Sequence, residues 1–136
     1  MSIITVNALV NAPLENVWKS WTDPQHIMQW NFAADDWHAP AATNELVVGG
    51  QFVYTMAAKD GSFSFDFSGK FTELTPLKSV SYLLDDGRKV DISFELYEGQ
   101  VMVIESFEAE TENSEDLQRS GWQAILNNFK KYTEQL

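Results

Sequence analysis

Between Gly50 and Phe107 apolar and polar positions alternate with a period of two, the spacing of a half-buried strand. Phe52, Tyr54 and Met56 open the run behind Gly49-Gly50. Asp60-Gly61 marks a turn, and Phe63, Phe65, Phe67, Gly69 and Phe71 then alternate with Ser62, Ser64, Asp66, Ser68, Lys70 and Thr72. Thr75-Pro76-Leu77-Lys78 turns into Val80, Tyr82 and Leu84. Asp85-Asp86-Gly87 turns into Val90, Ile92, Phe94 and Leu96, and Glu98-Gly99 leads to a last strand from Val101 to Phe107. Turns this short join antiparallel neighbours, so the pattern predicts a meander with one apolar face and one wet face.

The flanks follow a different period. Ile3 to Val10 is a β-branched strand that stops at Asn11-Ala12-Pro13. Proline at a first helical position costs no hydrogen bond, which predicts a short helix from Pro13 with Leu14, Val17, Trp18 and Trp21 on one stripe. Asp23-Pro24 starts a second short helix that carries Ile27, Met28 and Trp30. Asn31 to Thr43 is rich in Ala, Asp and Pro and is expected to be a loop with one or two brief strands. At the other end Ser114 can cap a helix, Glu115 and Asp116 suit its positive end, and Leu117, Trp122, Ile125, Leu126, Phe129 and Tyr132 form a broad apolar stripe ending near Lys130 and Lys131. That helix, of about five turns, is the natural cover for the apolar face of the sheet. With no repeat, linker or low-complexity segment, residues 1–136 are expected to form one α+β domain.

Composition removes several classes of function. The chain has no cysteine, so disulfides, thiolate metal sites and a cysteine nucleophile are absent. Nine Lys and Arg against 20 Asp and Glu give a net charge of −11, which repels nucleic-acid backbones and anionic lipid surfaces. Met1 to Val10 lacks the basic start and continuous apolar run of a signal peptide, and no run is long enough to span a bilayer. A cytoplasmic protein without membrane insertion or a nucleic-acid partner is the expectation. Five Trp and nine Phe are many for so small a core and fit either a core that simply uses large side chains or a cavity walled by rings.

Several phrases in this order, Asn11-Ala12-Pro13-Leu14-Glu15-Asn16-Val17-Trp18, Trp21-Thr22-Asp23-Pro24 with Trp30, Val48-Gly49-Gly50-Gln51-Phe52, and Gly121-Trp122 with Leu126 and Tyr132, resemble the activator of heat-shock-protein-90 ATPase homologue family. That family belongs to the START-like, or SRPBCC, superfamily. The resemblance implies the helix-grip fold, also called START-like or Bet v-type, in which a curved antiparallel sheet wraps one long C-terminal helix and two short helices follow strand one. It also implies a cavity between sheet and helix, where members of the superfamily hold lipids, sterols or polyketides. The eukaryotic co-chaperones of the family carry an additional N-terminal domain for engaging the chaperone, which has no counterpart in this sequence.

A strongly curved sheet cannot press its whole face onto one helix about 10 Å wide, so some inward rings must line space. The expected wall comprises Trp30, Phe52, Tyr54, Phe65, Phe67, Tyr82, Ile92 and Phe94, facing Trp122, Ile125 and Phe129 on the long helix. Two polar groups are candidates for the cavity. Glu105 interrupts an apolar strand and either anchors a ligand or faces solvent. His38, behind Asp35, Asp36 and Trp37, is placed near the cavity mouth by the fold and could exchange a proton with Asp36. His26 is expected on the wet side of its helix. The histidines lack metal-ligand spacing, and Gly49-Gly50 lacks the spacing and lysine of a phosphate loop, so no metal and no cofactor are expected. No catalytic residue stands out from the sequence. The leading expectation is a binder of a small hydrophobic or aromatic molecule, lipid, polyketide or flavonoid-like. The alternatives are a polyketide cyclase-like enzyme, marked by His38, Asp36 or Glu105 aimed inward, and a protein-interaction module that activates a chaperone ATPase.

Overall fold

Period-two alternation becomes burial on one side of a sheet. The computed structural model describes residues 2–136. Strands β1 (Ile3–Val10), β2 (Trp37–Asn44), β3 (Gln51–Ala58), β4 (Ser64–Thr75), β5 (Ser79–Leu84), β6 (Lys89–Tyr97) and β7 (Gln100–Glu108) form one antiparallel sheet in the order β1-β7-β6-β5-β4-β3-β2. β1 and β2, neighbours in sequence, therefore lie on opposite edges. The helices α1 (Leu14–Thr22) and α2 (Pro24–Ile27) connect them, and α3 (Glu115–Glu134) follows the last strand. The sheet curves into a half-barrel, the helix-grip arrangement expected from the sequence.

The inward rows are continuous across the strands. Val6 lies opposite Glu105, Glu105 opposite Ile92, and Ile92 opposite Val80, while Ile4, Phe107, Val90 and Tyr82 form the next row. The convex side pairs small polar groups, with Thr55 donating to Asp66 at 2.8 Å and Ser81 to Asp91 at 2.7 Å. Gly69 belongs to an inward row, and a Cβ there would stand 2.3 Å from the Leu83 carbonyl oxygen, so only glycine lets β4 and β5 approach this closely.

Capping chemistry sets the helices. Pro13 stands at the cap of α1, one residue before its first turn, and its carbonyl accepts from Asn16 N at 3.0 Å and Val17 N at 3.1 Å. Asp23 accepts from Gln25 N at 2.9 Å and caps α2, with Pro24 as its first residue. Ser114 Oγ accepts from Leu117 N at 3.1 Å at the start of α3. Gln118 fixes the preceding turn, accepting from Glu110 N at 2.9 Å and donating to the Asn113 carbonyl at 2.9 Å.

An edge strand leaves alternate carbonyls unpaired, and α3 supplies donors for those of β1. Arg119 Nη1 reaches the Thr5 carbonyl at 2.8 Å, Gln123 Nε2 the Asn7 carbonyl at 3.0 Å, and Lys130 Nζ the Leu9 carbonyl at 2.7 Å. Thus α3 is fastened along β1, while its apolar stripe faces the hollow of the sheet.

Four sequence expectations are corrected. Asn31 to Thr43 is more than a loop with brief strands, because β2 pairs with β3 from Trp37 to Asn44 around an irregularity between His38 and Ala41. Pro40 falls in that irregularity, where a missing N–H breaks no ladder bond. Phe63 lies before β4 and is exposed. Leu96 keeps the alternation of β6 yet is 72% exposed, because β6 runs past the start of β5 and has only β7 beside it there. Leu117, in the first turn of α3, is exposed as well.

Candidate functional site

The fully buried part of the core lies against the C-terminal half of α3, where Leu126 and Phe129 have no exposed surface. Trp21 and Trp30 clasp the Phe129 ring, each centroid 4.9 Å from it, and Trp30 Nε1 donates to the Ser20 carbonyl at 2.9 Å. Towards the N-terminal half of α3, Trp122 and Ile125 are only half-buried. There the helix roofs a hollow instead of filling it.

The hollow is a cavity of about 210 Å³ lined by Trp21, Trp30, Asn31, Tyr54, Met56, Phe65, Phe67, Tyr82, Arg88, Glu105, Trp122 and Ile125. Trp122 stacks on Phe107 with centroids 3.8 Å apart and planes 10° from parallel, and meets the edge of Phe67 at 5.8 Å. These contacts leave little rotational freedom to the ring that forms the roof. Phe65, 43% exposed, and Arg88, half-buried, stand at the end of the sheet that carries the β3–β4 and β5–β6 turns, and form the mouth. Arg88 is held there by Asp86, Nε to Oδ2 at 2.9 Å.

Of the residues expected from the sequence, Trp30, Tyr54, Phe65, Phe67, Tyr82, Trp122, Ile125 and Glu105 come together around the cavity. Phe52, Ile92, Phe94 and Phe129 do not reach it. Phe52 is enclosed by Tyr54, Phe67, Phe71 and Tyr82, Phe94 packs its edge against Trp18 and Trp21, and Ile92 and Phe129 are sealed in the core. His38 and Asp36 are exposed at the sheet edge, away from the cavity, so this pair cannot move a proton within it. His26, expected in solvent, is half-buried and joins α2 to α3 through Nδ1 and Tyr132 Oη, 2.6 Å apart.

Four lining residues were not anticipated: Trp21, Met56, Asn31 and Arg88. Trp21 and Met56 obey the helix and strand periods already noted, so their inward direction was available. Asn31 and Arg88 lie in connections, where no period tells inside from outside.

Glu105 is the unusual member. It is 6% exposed, faces inward from the middle of β7, and has no side-chain hydrogen bond or counter-charge among the described residues. Burial alone pushes its carboxyl up to about 8, so it carries a proton at neutral pH. The Tyr82 phenol is pushed well above its ordinary value by burial and then by the charges of Glu105 and Tyr54. Burial also raises Tyr54 to about 12, against the opposing effect of its bond with Asn44. Among the described residues no group of His, Cys, Asp and Glu could hold a metal ion, and no helix is long and apolar enough to cross a membrane.

A curved sheet gripping one long helix, with an apolar cavity between them, is the START-like helix-grip class, a fold that commonly holds hydrophobic ligands. The family model described as activator of Hsp90 ATPase homolog 1-like protein matches residues 11–134, and the chain belongs to that family. Its structure is similar to the solution structure of an AHSA1-like protein from Aeromonas hydrophila, with 45% identity and a TM-score of 0.93 over 98% of this chain and 93% of that one. A protein from Cytophaga hutchinsonii is 51% identical, with a TM-score of 0.83 over 97% and 92% of the two chains. The Aha1 dimer of Colwellia psychrerythraea shares the fold at 19% identity, with a TM-score of 0.75 over 98% and 97%. No curated protein matches the sequence.

Proposed function

We propose that this chain binds a small, ring-bearing hydrophobic molecule in the cavity between the sheet and α3. One observation carries the reading: seven of the twelve cavity residues are aromatic, and they leave about 210 Å³ open instead of collapsing on one another. A core built only for stability closes such a gap, because every unfilled volume forfeits dispersion contacts. The size suits one or two fused rings, and the mouth at Phe65 and Arg88 gives a route in. Little surface in the cavity is polar, so shape selects first and a few hydrogen bonds select second.

Amide shifts of the labelled protein, followed while naphthalene, indole and medium-chain fatty acids are titrated in, test this directly. Saturable changes are expected at the inward rows of β3 to β5 and at Trp122 and Ile125. Phe67→Ala, if it keeps the native spectrum, is expected to weaken binding several-fold. Absence of saturable change with every probe would remove the reading.

A further inference from the structure

Several polar groups that line the cavity have no side-chain hydrogen-bond partner among the described residues. Tyr54 Oη accepts from Asn44 Nδ2 at 3.0 Å, which leaves its own hydrogen free. Tyr82, 6% exposed, has no side-chain hydrogen bond among the described residues, and neither has Glu105. The Nδ2 of Asn31 is buried and also lacks a partner. Glu105 and Tyr82 are diagonal neighbours across β6 on the concave face, since Glu105 lies opposite Ile92, Ile92 opposite Val80, and Tyr82 two residues further along β5. A carboxyl kept neutral by an apolar site is a hydrogen-bond donor, and here it lines the same cavity as a phenol.

We infer that the cavity takes a neutral cyclic ligand bearing a carbonyl oxygen, which accepts hydrogen bonds from the Glu105 carboxyl and the Tyr82 hydroxyl. The inference rests on the ligand-binding reading above and adds the chemical class. A hydrocarbon would fill the same space and leave these donors unpaired, whereas a carbonyl supplies the missing lone pairs.

The titratable and charged groups around Glu105 are few. Tyr82 faces it from β5 and Tyr54 lies on β3, both pushed up by burial, and Arg88 stands at the mouth against Asp86. The α1 and α3 side of the wall supplies Trp21, Trp122 and Ile125, none of which ionises. His26 is turned to Tyr132, and His38 lies outside. Glu105 therefore titrates first, and above its transition a charge replaces the donor.

Indanone, indane and protonated aminoindane share one ring skeleton and differ in the group offered, so their affinities for the whole chain separate the cases. Below the Glu105 transition indanone is expected to bind about tenfold more tightly than indane, a preference of about 1.4 kcal/mol. The bound carbonyl stretch should move to lower frequency. Tyr82→Phe and Glu105→Met should each cut the preference several-fold. Glu105→Gln, which keeps an N–H donor, should retain the preference and lose its decline at higher pH. Equal binding of indane and indanone overturns the inference while leaving the cavity a binding site. Tightest binding of aminoindane overturns it in favour of a cation site on ionised Glu105. Failure of all three to bind defeats the underlying ligand-binding reading instead.

Discussion

Glu105 puts an ionisable group where the fold has no counter-charge for it, and stability must follow its proton. Its carboxyl titrates at about 8 in the folded chain and near its ordinary value of 4.5 when unfolded. Between those values the native state binds the proton more tightly, so the contribution is fully present at low pH and is lost as pH rises towards 8. The loss approaches about 1.4 kcal/mol per pH unit across that window. Urea unfolding at a series of pH values is expected to show this decline in the wild type and a flatter profile in Glu105→Gln. Equal slopes in the two proteins would mean that Glu105 is solvated or paired. In the sequence Glu105 shows only as a break in Val101, Val103 and Phe107, a signal that fits an inward acid and a solvent-facing one equally. Its neighbours across β6 decide the matter, and pairing register is not written in any one strand. Asn31 and Arg88 carried no signal at all, because position in a turn has no period.

At the scale of elements, α3 does two jobs with two faces. Trp122 and Ile125 face the hollow, Leu126 and Phe129 are sealed in the core, and Arg119, Gln123 and Lys130 satisfy the edge of β1. Lys130→Met keeps the aliphatic stem and removes the donor to the Leu9 carbonyl, together with the 2.7 Å bond to Glu134. A destabilisation of roughly 1–2 kcal/mol in urea, with unchanged denaturant slope, is the expected result. An unchanged midpoint would show that water serves the edge as well as the lysine does. The apolar face of α3, the caps at Asp23 and Ser114, and the strands from β3 to β7 were legible because large side chains mark their periods. β2 was not, since Ala39, Pro40, Ala41 and Ala42 are too small to mark a face and the strand is irregular at Pro40. Leu96 and Leu117 misled for the opposite reason, keeping the period beyond the point where there is anything to pack against.

For the whole molecule, the meander and its covering helix follow from hydrophobic pattern, and the resemblance noted in the sequence is met by the fold. A cavity is a different kind of property. It depends on how far the sheet curves before α3 meets it, and the same aromatic residues could equally have filled the space. Phe52, Phe94 and Phe129 did so, by closing ring against ring in the core, while Phe67, Tyr82 and Trp122 were left as walls. The most direct measurement is an isotope-filtered NOE experiment on the labelled protein with a small aromatic ligand such as naphthalene. Contacts from ligand protons to Phe67, Tyr82, Trp122 and Ile125 together would place the molecule between sheet and helix, as proposed. Contacts to the convex face alone, or none at saturating ligand, would contradict a binding cavity and leave the rings as core.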